Sequence, residues 1–345
     1  MSLPKPIGRQ KEVLCLPAQG HFAVLGTAGS GKTTLAILRS AYLADHKTDH
    51  HGKTLLVTFN RALVAYLRHL QDRAIKDVVV ENYHTFARGY LNSRGKMSRD
   101  GICSDLDQRK NLIASAVRKV ADGTQKHPFF ERPVEFFSEE IRWLAQHGIT
   151  TLDGYEVIER VGRSGARIER KLRKFAFEIR DAYREKREAI GKKYDWDDLA
   201  TATREELEAD ESTRRYRHVV IDEGQDFSPE MTRSLAAAIP ADGSLTFFGD
   251  VAQQIYGHRM SWRSAGLNIA KVWEFKENYR NSKQIARLGL AVSRMPYFKD
   301  LPDMVEPGAP TADGPRPTLV ECSSREAEIE LAVKQAVEAS KTQSV

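Results

Sequence analysis

The chain has 345 residues, 29% of them charged and 41% hydrophobic, and a net charge of +6. That length exceeds one ordinary core, so two or three domains are expected, and the composition excludes a disordered chain. No apolar run reaches the roughly 18 residues of a membrane helix, and the opening MSLPKPIGRQ lacks the apolar centre of a signal peptide. Cys15, Cys103 and Cys322 are scattered and in no CxxC pair, which excludes a disulfide framework or a zinc site and makes a reducing cytoplasm the expected setting.

In chain order, HFAVLG reads as a buried strand, TTLAILRSAYLA as a helix, KTLLVTF as a strand, NRALVAYLRHLQD as a helix and KDVVVENY as a strand. Unalternated β-branched strands separated by helices point to a parallel sheet covered on both faces. From about Gly89 to Tyr194 the pattern turns helical, polar and basic. Between Val161 and Tyr194 twelve Lys/Arg face five acids, with Ile168, Leu172, Phe175, Ile179, Ala182 and Tyr183 at helical spacing. This predicts a long amphipathic helix with a basic outer face, either solvated or meeting a phosphate backbone. Strands return as RHVVID, SLTFFGD and KVWEFKE; after a Pro/Gly-rich link, TLVECSS is expected as a strand and REAEIELAVKQAVEA as a helix. The fold class is α/β: a P-loop, parallel sheet with helices on both faces, interrupted by a mostly helical insertion.

Gly26-Thr27-Ala28-Gly29-Ser30-Gly31-Lys32-Thr33-Thr34 fits G-x4-G-K-[ST] between a predicted strand and a predicted helix. The glycines let backbone N–H groups and a helix N-terminus face phosphates. Lys32 would reach the β/γ-phosphates of ATP and the Thr33 hydroxyl would ligate Mg²⁺. Asp222-Glu223-Gly224-Gln225-Asp226 closes a strand, where Asp222 can hold the metal shell and Glu223 can polarise water. His46, His50 and His51 beside Asp45 and Asp49 read as a solvated polar loop, and Cys15 and Cys322 as packed small residues.

DEGQD resembles the DExQD motif II of superfamily 1 helicases of the UvrD/Rep/PcrA-like group, and further motifs stand in order. Gln10 resembles the adenine-reading Q motif, Thr58-Phe59-Asn60 motif Ia, and Asn82-Tyr83-His84-Thr85-Phe86 the TFHS-like motif. Asp195-Trp196-Asp197-Asp198-Leu199 resembles the acidic re-entry motif, Gly249-Asp250-Val-Ala-Gln253-Gln254-Ile-Tyr256 motif III, and Glu277-Asn278-Tyr279-Arg280 motif IV. The resemblance implies a RecA-like domain 1A (1–88 and 196–275), a basic helical domain 1B (89–195) and the beginning of domain 2A (276–345). It implies that Gln253 and Arg280 address the γ-phosphate and that Tyr279 stacks on adenine. It also implies that Phe59, Asn60, Tyr83, His84, Tyr256 and His258 line a single-strand groove, His258 standing where a Trp is usual. Motif Ia is one residue shorter than the TFTNKAA form, and Ala252 replaces an acid, so the branch is divergent.

The implied activity is ATP-driven translocation or unwinding of single-stranded DNA or a single/double-strand junction, with 3′→5′ polarity. A nucleotide-dependent binding or regulatory module without unwinding, and an RNA-directed helicase, fit the same residues. Nothing after Arg280 resembles motifs V and VI. That half is expected in a longer chain or in trans, and robust unwinding by these residues alone is not expected.

Overall fold

A computed structural model describes residues 6, 8–27, 29–59, 64, 77–160, 163, 166–250, 262–275, 281–295, 310 and 312–342. Six strands form one parallel sheet: β1 (Gly20–Gly26), β2 (Thr54–Thr58), β3 (Val78–Asn82), β4 (His218–Ile221), β5 (Ser244–Gly249) and β6 (Ile269–Phe275), in the order β3-β2-β4-β5-β1-β6. All six strands expected in the first 277 residues are present. The helix expected over NRALVAYLRHLQD falls, except for Val64, outside the described residues.

The central strands carry continuous apolar runs because both faces are covered. Leu55, Val57, Val219, Ile221, Leu245 and Phe247 join one hydrophobic cluster with Tyr83, Phe86, Leu199 and Leu235. The intervening Leu56, Val220 and Phe248 join another with Val24, Leu35, Ile37 and Leu43. This period-two sorting fixes register, since a one-residue slip would exchange the two faces.

A third cluster is built entirely from residues 113–183. It unites the helices Leu106–Asp122, Val134–Gln146, Leu152–Val157 and Arg170–Ala189. The chain leaves for this unit and returns from it side by side: Ile102 and Tyr194 form an isolated parallel bridge, and the Cys103 N–H donates to the Tyr194 carbonyl at 2.7 Å.

Three expectations change here. The basic helix runs Arg170–Ala189, shorter than the charge window, and its cations do not all face outward. Arg173, Arg180 and Arg187 are buried: Arg173 donates to the Tyr155, Glu156 and Ile158 carbonyls, Arg180 to that of Ile149, and Arg187 to those of Lys192 and Lys193. Guanidinium groups can enter a small core when their donors end on loop carbonyls. TLVECSS forms no strand, having no neighbour to pair with among the described residues, whereas the helix after it does form (Arg325–Thr342). Cys15 is exposed and Cys322 half-buried, so neither is a packed core residue.

Among the described residues no helix is long and apolar enough to cross a membrane, and no group of three or more His, Cys, Asp or Glu could hold a metal ion. In the histidine-rich loop, His46 instead bonds Asp77 at 2.8 Å.

Candidate nucleotide site and nucleic-acid interface

β5 lies between β4 and β1, so the residues that follow these three strands converge at one edge of the sheet. The carboxyl edge of a parallel sheet is where loops can open a crevice for ligands. After β1, Gly29 (φ 84°) and Gly31 (φ 86°) turn the chain through the left-handed region, and the helix Lys32–Leu43 starts at once. A side chain at either position would be strained, so glycine is what lets this loop curl. Lys32 is 7% exposed; its ammonium donates to the carbonyls of Gly26 (2.8 Å) and Thr27 (2.9 Å) and lies 3.6 Å from the Asp250 carboxylate. The Thr27 and Ser30 hydroxyls are buried without hydrogen-bond partners.

Helix Arg9–Leu14 is clamped to this unit by Arg39, which donates to the Leu14, Leu16 and Pro17 carbonyls at 2.6–2.9 Å. Burial lowers the Arg39 guanidinium to about 10, still far above neutrality. The clamp sets Gln10 against the loop, where its amide donates to the Ser30 carbonyl at 3.4 Å and lies 3.3 Å from the point a side chain on Gly31 would occupy.

Asp222 follows β4. It is fully buried, with the Thr33 hydroxyl and the Glu223 backbone N–H as the hydrogen-bonding groups at its carboxylate. Burial, reinforced by the charge of Glu223, pushes its carboxyl up to about 7, while the nearby Thr33 hydroxyl and Lys32 ammonium oppose the shift. A sealed carboxylate beside a threonine hydroxyl is an oxygen donor set that suits a small hard cation, so Asp222 and Thr33 fit Mg²⁺. Glu223 is half-buried and has φ 53°, ψ 45°, the only non-glycine positive φ among the described residues. Such a conformation costs of order 1–3 kcal/mol.

Two polar residues that the sequence places in motifs II and III without a role of their own meet here. Gln225 donates to Glu223 at 2.7 Å and accepts the Asp250 backbone N–H at 2.9 Å; Asp250 stands between the loop lysine and motif II. Only the adjacency of β4 and β5 reveals this contact; in the sequence the two residues stand 25 apart.

A second surface begins at the ends of β2 and β3. Phe59 is 40% exposed and meets His84 edge-on at 5.6 Å; His84 meets Trp196 at 5.2 Å, and Arg88 lies over Trp196. Trp196 was read only as part of an acidic motif. Tyr83, expected in the groove, is instead fully buried: it starts the helix Tyr83–Ser93 facing inward, and its hydroxyl bonds Ser234 at 2.7 Å. One residue on, His84 takes the outward position. Ala28, Asn60, Gln253, Tyr256, His258, Tyr279 and Arg280 lie outside the described residues.

The acidic re-entry motif is held from the helical unit. Asp195 accepts from Tyr183 (2.9 Å) and Arg109 (3.4 Å), Asp197 from Arg109 (3.0 Å), and Asp198 pairs with Arg187 (2.7 Å). These bonds anchor the loop that presents Trp196.

Comparison with known proteins agrees with this layout. The profile of the UvrD/REP helicase N-terminal domain matches residues 8–274. The chain belongs to that family. It is 25% identical over 282 residues to YjcD of Bacillus subtilis (strain 168), whose name carries a provisional ATP-dependent DNA helicase assignment; the match covers 77% of this chain and 34% of YjcD. It is also 25% identical to the ATP-dependent DNA helicase UvrD2 of Mycobacterium tuberculosis (strain ATCC 25618 / H37Rv), across 93% of this chain and 48% of UvrD2. The chain therefore spans between a third and a half of the length of these curated relatives. Within the UvrD/REP family frame, the expected α/β architecture stands.

Proposed function

We propose that this chain is the ATP-binding part of an ATP-driven single-stranded DNA translocase or helicase of the UvrD type, working 3′→5′. The observation that carries the proposal is the convergence of Lys32, Thr33, Asp222 and Glu223 at one sheet edge, with the Phe59–His84–Trp196 row beside it. In this reading residues 1–88 with 196–275 form domain 1A, residues 89–195 form domain 1B, and residues 276–345 begin domain 2A, whose remainder would come from a longer chain or in trans.

Bound Mg²⁺ would neutralise phosphate charge and leave ATP open to attack by water. Lys32 exchanges the Gly26 and Thr27 carbonyls for phosphate oxygens, Asp222 and Thr33 hold the cation, and Glu223 accepts the proton of the attacking water. By family resemblance, Gln253 and Arg280 would add γ-phosphate contacts and Tyr279 an adenine stack, with Gln10 at the adenine edge. Asn60, Tyr256 and His258 would extend the strand path begun by Phe59 and His84.

Stacking on aromatic side chains is sequence-tolerant because every base has a π-face, at ~1–3 kcal/mol per base. Phe59→Ala is therefore expected to weaken binding of a fluorescent single-stranded oligonucleotide about tenfold or more, read by anisotropy, with the thermal midpoint little changed because Phe59 is exposed. Unchanged affinity would remove Phe59 from the interface. Equal binding of matched DNA and RNA strands would take away the DNA assignment.

A further inference from the structure

We propose that Gln225 is a positioning residue: it orients the Glu223 carboxylate and ties it to the end of β5, beside the lysine that meets phosphate. This inference rests on the proposed nucleotide site and adds a component to it.

The geometry is a short chain of bonds. The Gln225 side-chain amide donates to Glu223 Oε2 at 2.7 Å, and its carbonyl oxygen accepts the Asp250 N–H at 2.9 Å. The Asp250 carboxylate in turn lies 3.6 Å from the Lys32 ammonium, which is held by the Gly26 and Thr27 carbonyls. Glu223 needs a donor and the Asp250 N–H needs an acceptor, so position 225 must supply both at once. An amide does; a carboxylate offers acceptors only, an ammonium donors only, and an aliphatic chain neither. Glutamine also has the reach to span from the loop after β4 to the first residue after β5.

The surroundings are shaped for this bridge. A side chain on Gly249 would come within 3.5 Å of the Gln225 carbonyl oxygen and within 2.7 Å of the Phe247 ring. A side chain on Gly224 would strike the same ring at 2.3 Å. Phe247, fully enclosed, thus sets the backbone on either side of the bridge. Glu223 itself sits in a left-handed conformation, where its carboxylate direction is not fixed by strand geometry, so an outside partner has to fix it.

When Lys32 leaves its carbonyls for phosphate, its relation to Asp250 changes, and the Asp250–Gln225–Glu223 bonds carry that change to the group that activates water. Asp250 is also the residue from which the chain runs on toward Gln253.

The test uses Gln225→Glu. Deprotonated, the new carboxylate repels Glu223 and cannot donate to it; protonated, it restores a donor and an acceptor. At pH 8.5 the variant should hydrolyse ATP about tenfold or more slowly than the parent chain, with KM for ATP changed less than about threefold. The deficit relative to the parent should shrink as pH falls toward 6. The parent is run beside the variant at each pH, since both proteins carry Asp222, Glu223, Asp226, Asp250 and Lys32 around the bridge. Parent-like turnover, or a deficit independent of pH, would overturn the proposal.

Binding of a fluorescent ATP analogue by the parent chain tests the nucleotide site separately. If the parent binds but does not turn over, or if Gln225→Glu does not fold, a denaturant cycle with Glu223→Ala, Gln225→Met and the double variant decides. Non-additive midpoint shifts support the bond, and additive shifts overturn it.

Discussion

Glu223→Gln is expected to lower ATP hydrolysis roughly 10²–10⁴-fold while leaving ATP affinity within a few-fold. The two effects separate because the candidate binding groups, the Lys32 ammonium and the Asp222–Thr33 pair, are other side chains. Glutamine keeps the volume and the left-handed backbone demand of the site, so the fold should persist. What it removes is the carboxylate that can take a proton from water. Steady-state hydrolysis beside equilibrium binding of an ATP analogue reads both quantities. Equal loss of binding and turnover would instead make Glu223 a ligand-holding residue.

Asp222→Asn should have the opposite signature: a more stable empty protein that no longer responds to magnesium. Asp222 is fully buried, and burial, reinforced by the charge of Glu223, raises its carboxyl to about 7. A carboxyl raised in the folded state favours folding at low pH. That contribution is complete below the unfolded value near 4, and it is lost as pH rises through about 7, where the buried group ionises. At pH 8 the folded chain therefore carries a buried charge that the Thr33 hydroxyl, the Glu223 backbone and the Lys32 ammonium offset only in part, and asparagine relieves it. The expected gain is roughly 2–4 kcal/mol at pH 8, falling toward zero below pH 4. Denaturant unfolding at the two pH values in chelator checks this. A variant less stable than the parent at pH 8 would show that Asp222 is satisfied by the protein and is not waiting for a cation.

The strands were legible because each central strand is an unbroken apolar run, and a doubly covered parallel sheet demands one. The P-loop was legible because Gly29, Gly31 and Lys32 satisfy a local rule of turn and helix start. Asp222 was legible as a carboxylate ending a buried strand. In each case the cause lies within a few residues of the effect.

The remainder depends on neighbours far away in the chain. Gln225 and Asp250 meet only because β4 and β5 are adjacent in the sheet order. Trp196 joins Phe59 and His84 because Arg109 and Arg187, from two helices of the third cluster, hold the acidic motif at its base. Tyr83 and His84 are successive aromatics at a strand-to-helix boundary. Which of them turns inward is decided by the Asn82 cap, whose side chain accepts the Thr85 N–H and starts the helix at Tyr83. The charge run of the Arg170–Ala189 helix misled because charge is counted in sequence while orientation is set by packing. Three of its arginines are interior struts, while Arg170, Lys171, Lys174 and Arg184 of the same helix are exposed.

Mg²⁺-dependent binding of a fluorescent ATP analogue by this chain, beside Lys32→Ala, tests the central claim most directly. Saturable binding in the parent that falls at least about a hundredfold in the variant is the predicted result. Because Lys32 bonds the Gly26 and Thr27 carbonyls and lies beside Asp250, Lys32→Ala should stay folded, and circular dichroism verifies that. Binding of equal strength in both proteins, or none in a folded parent at millimolar nucleotide, would contradict the assignment of this sheet edge as an ATP site.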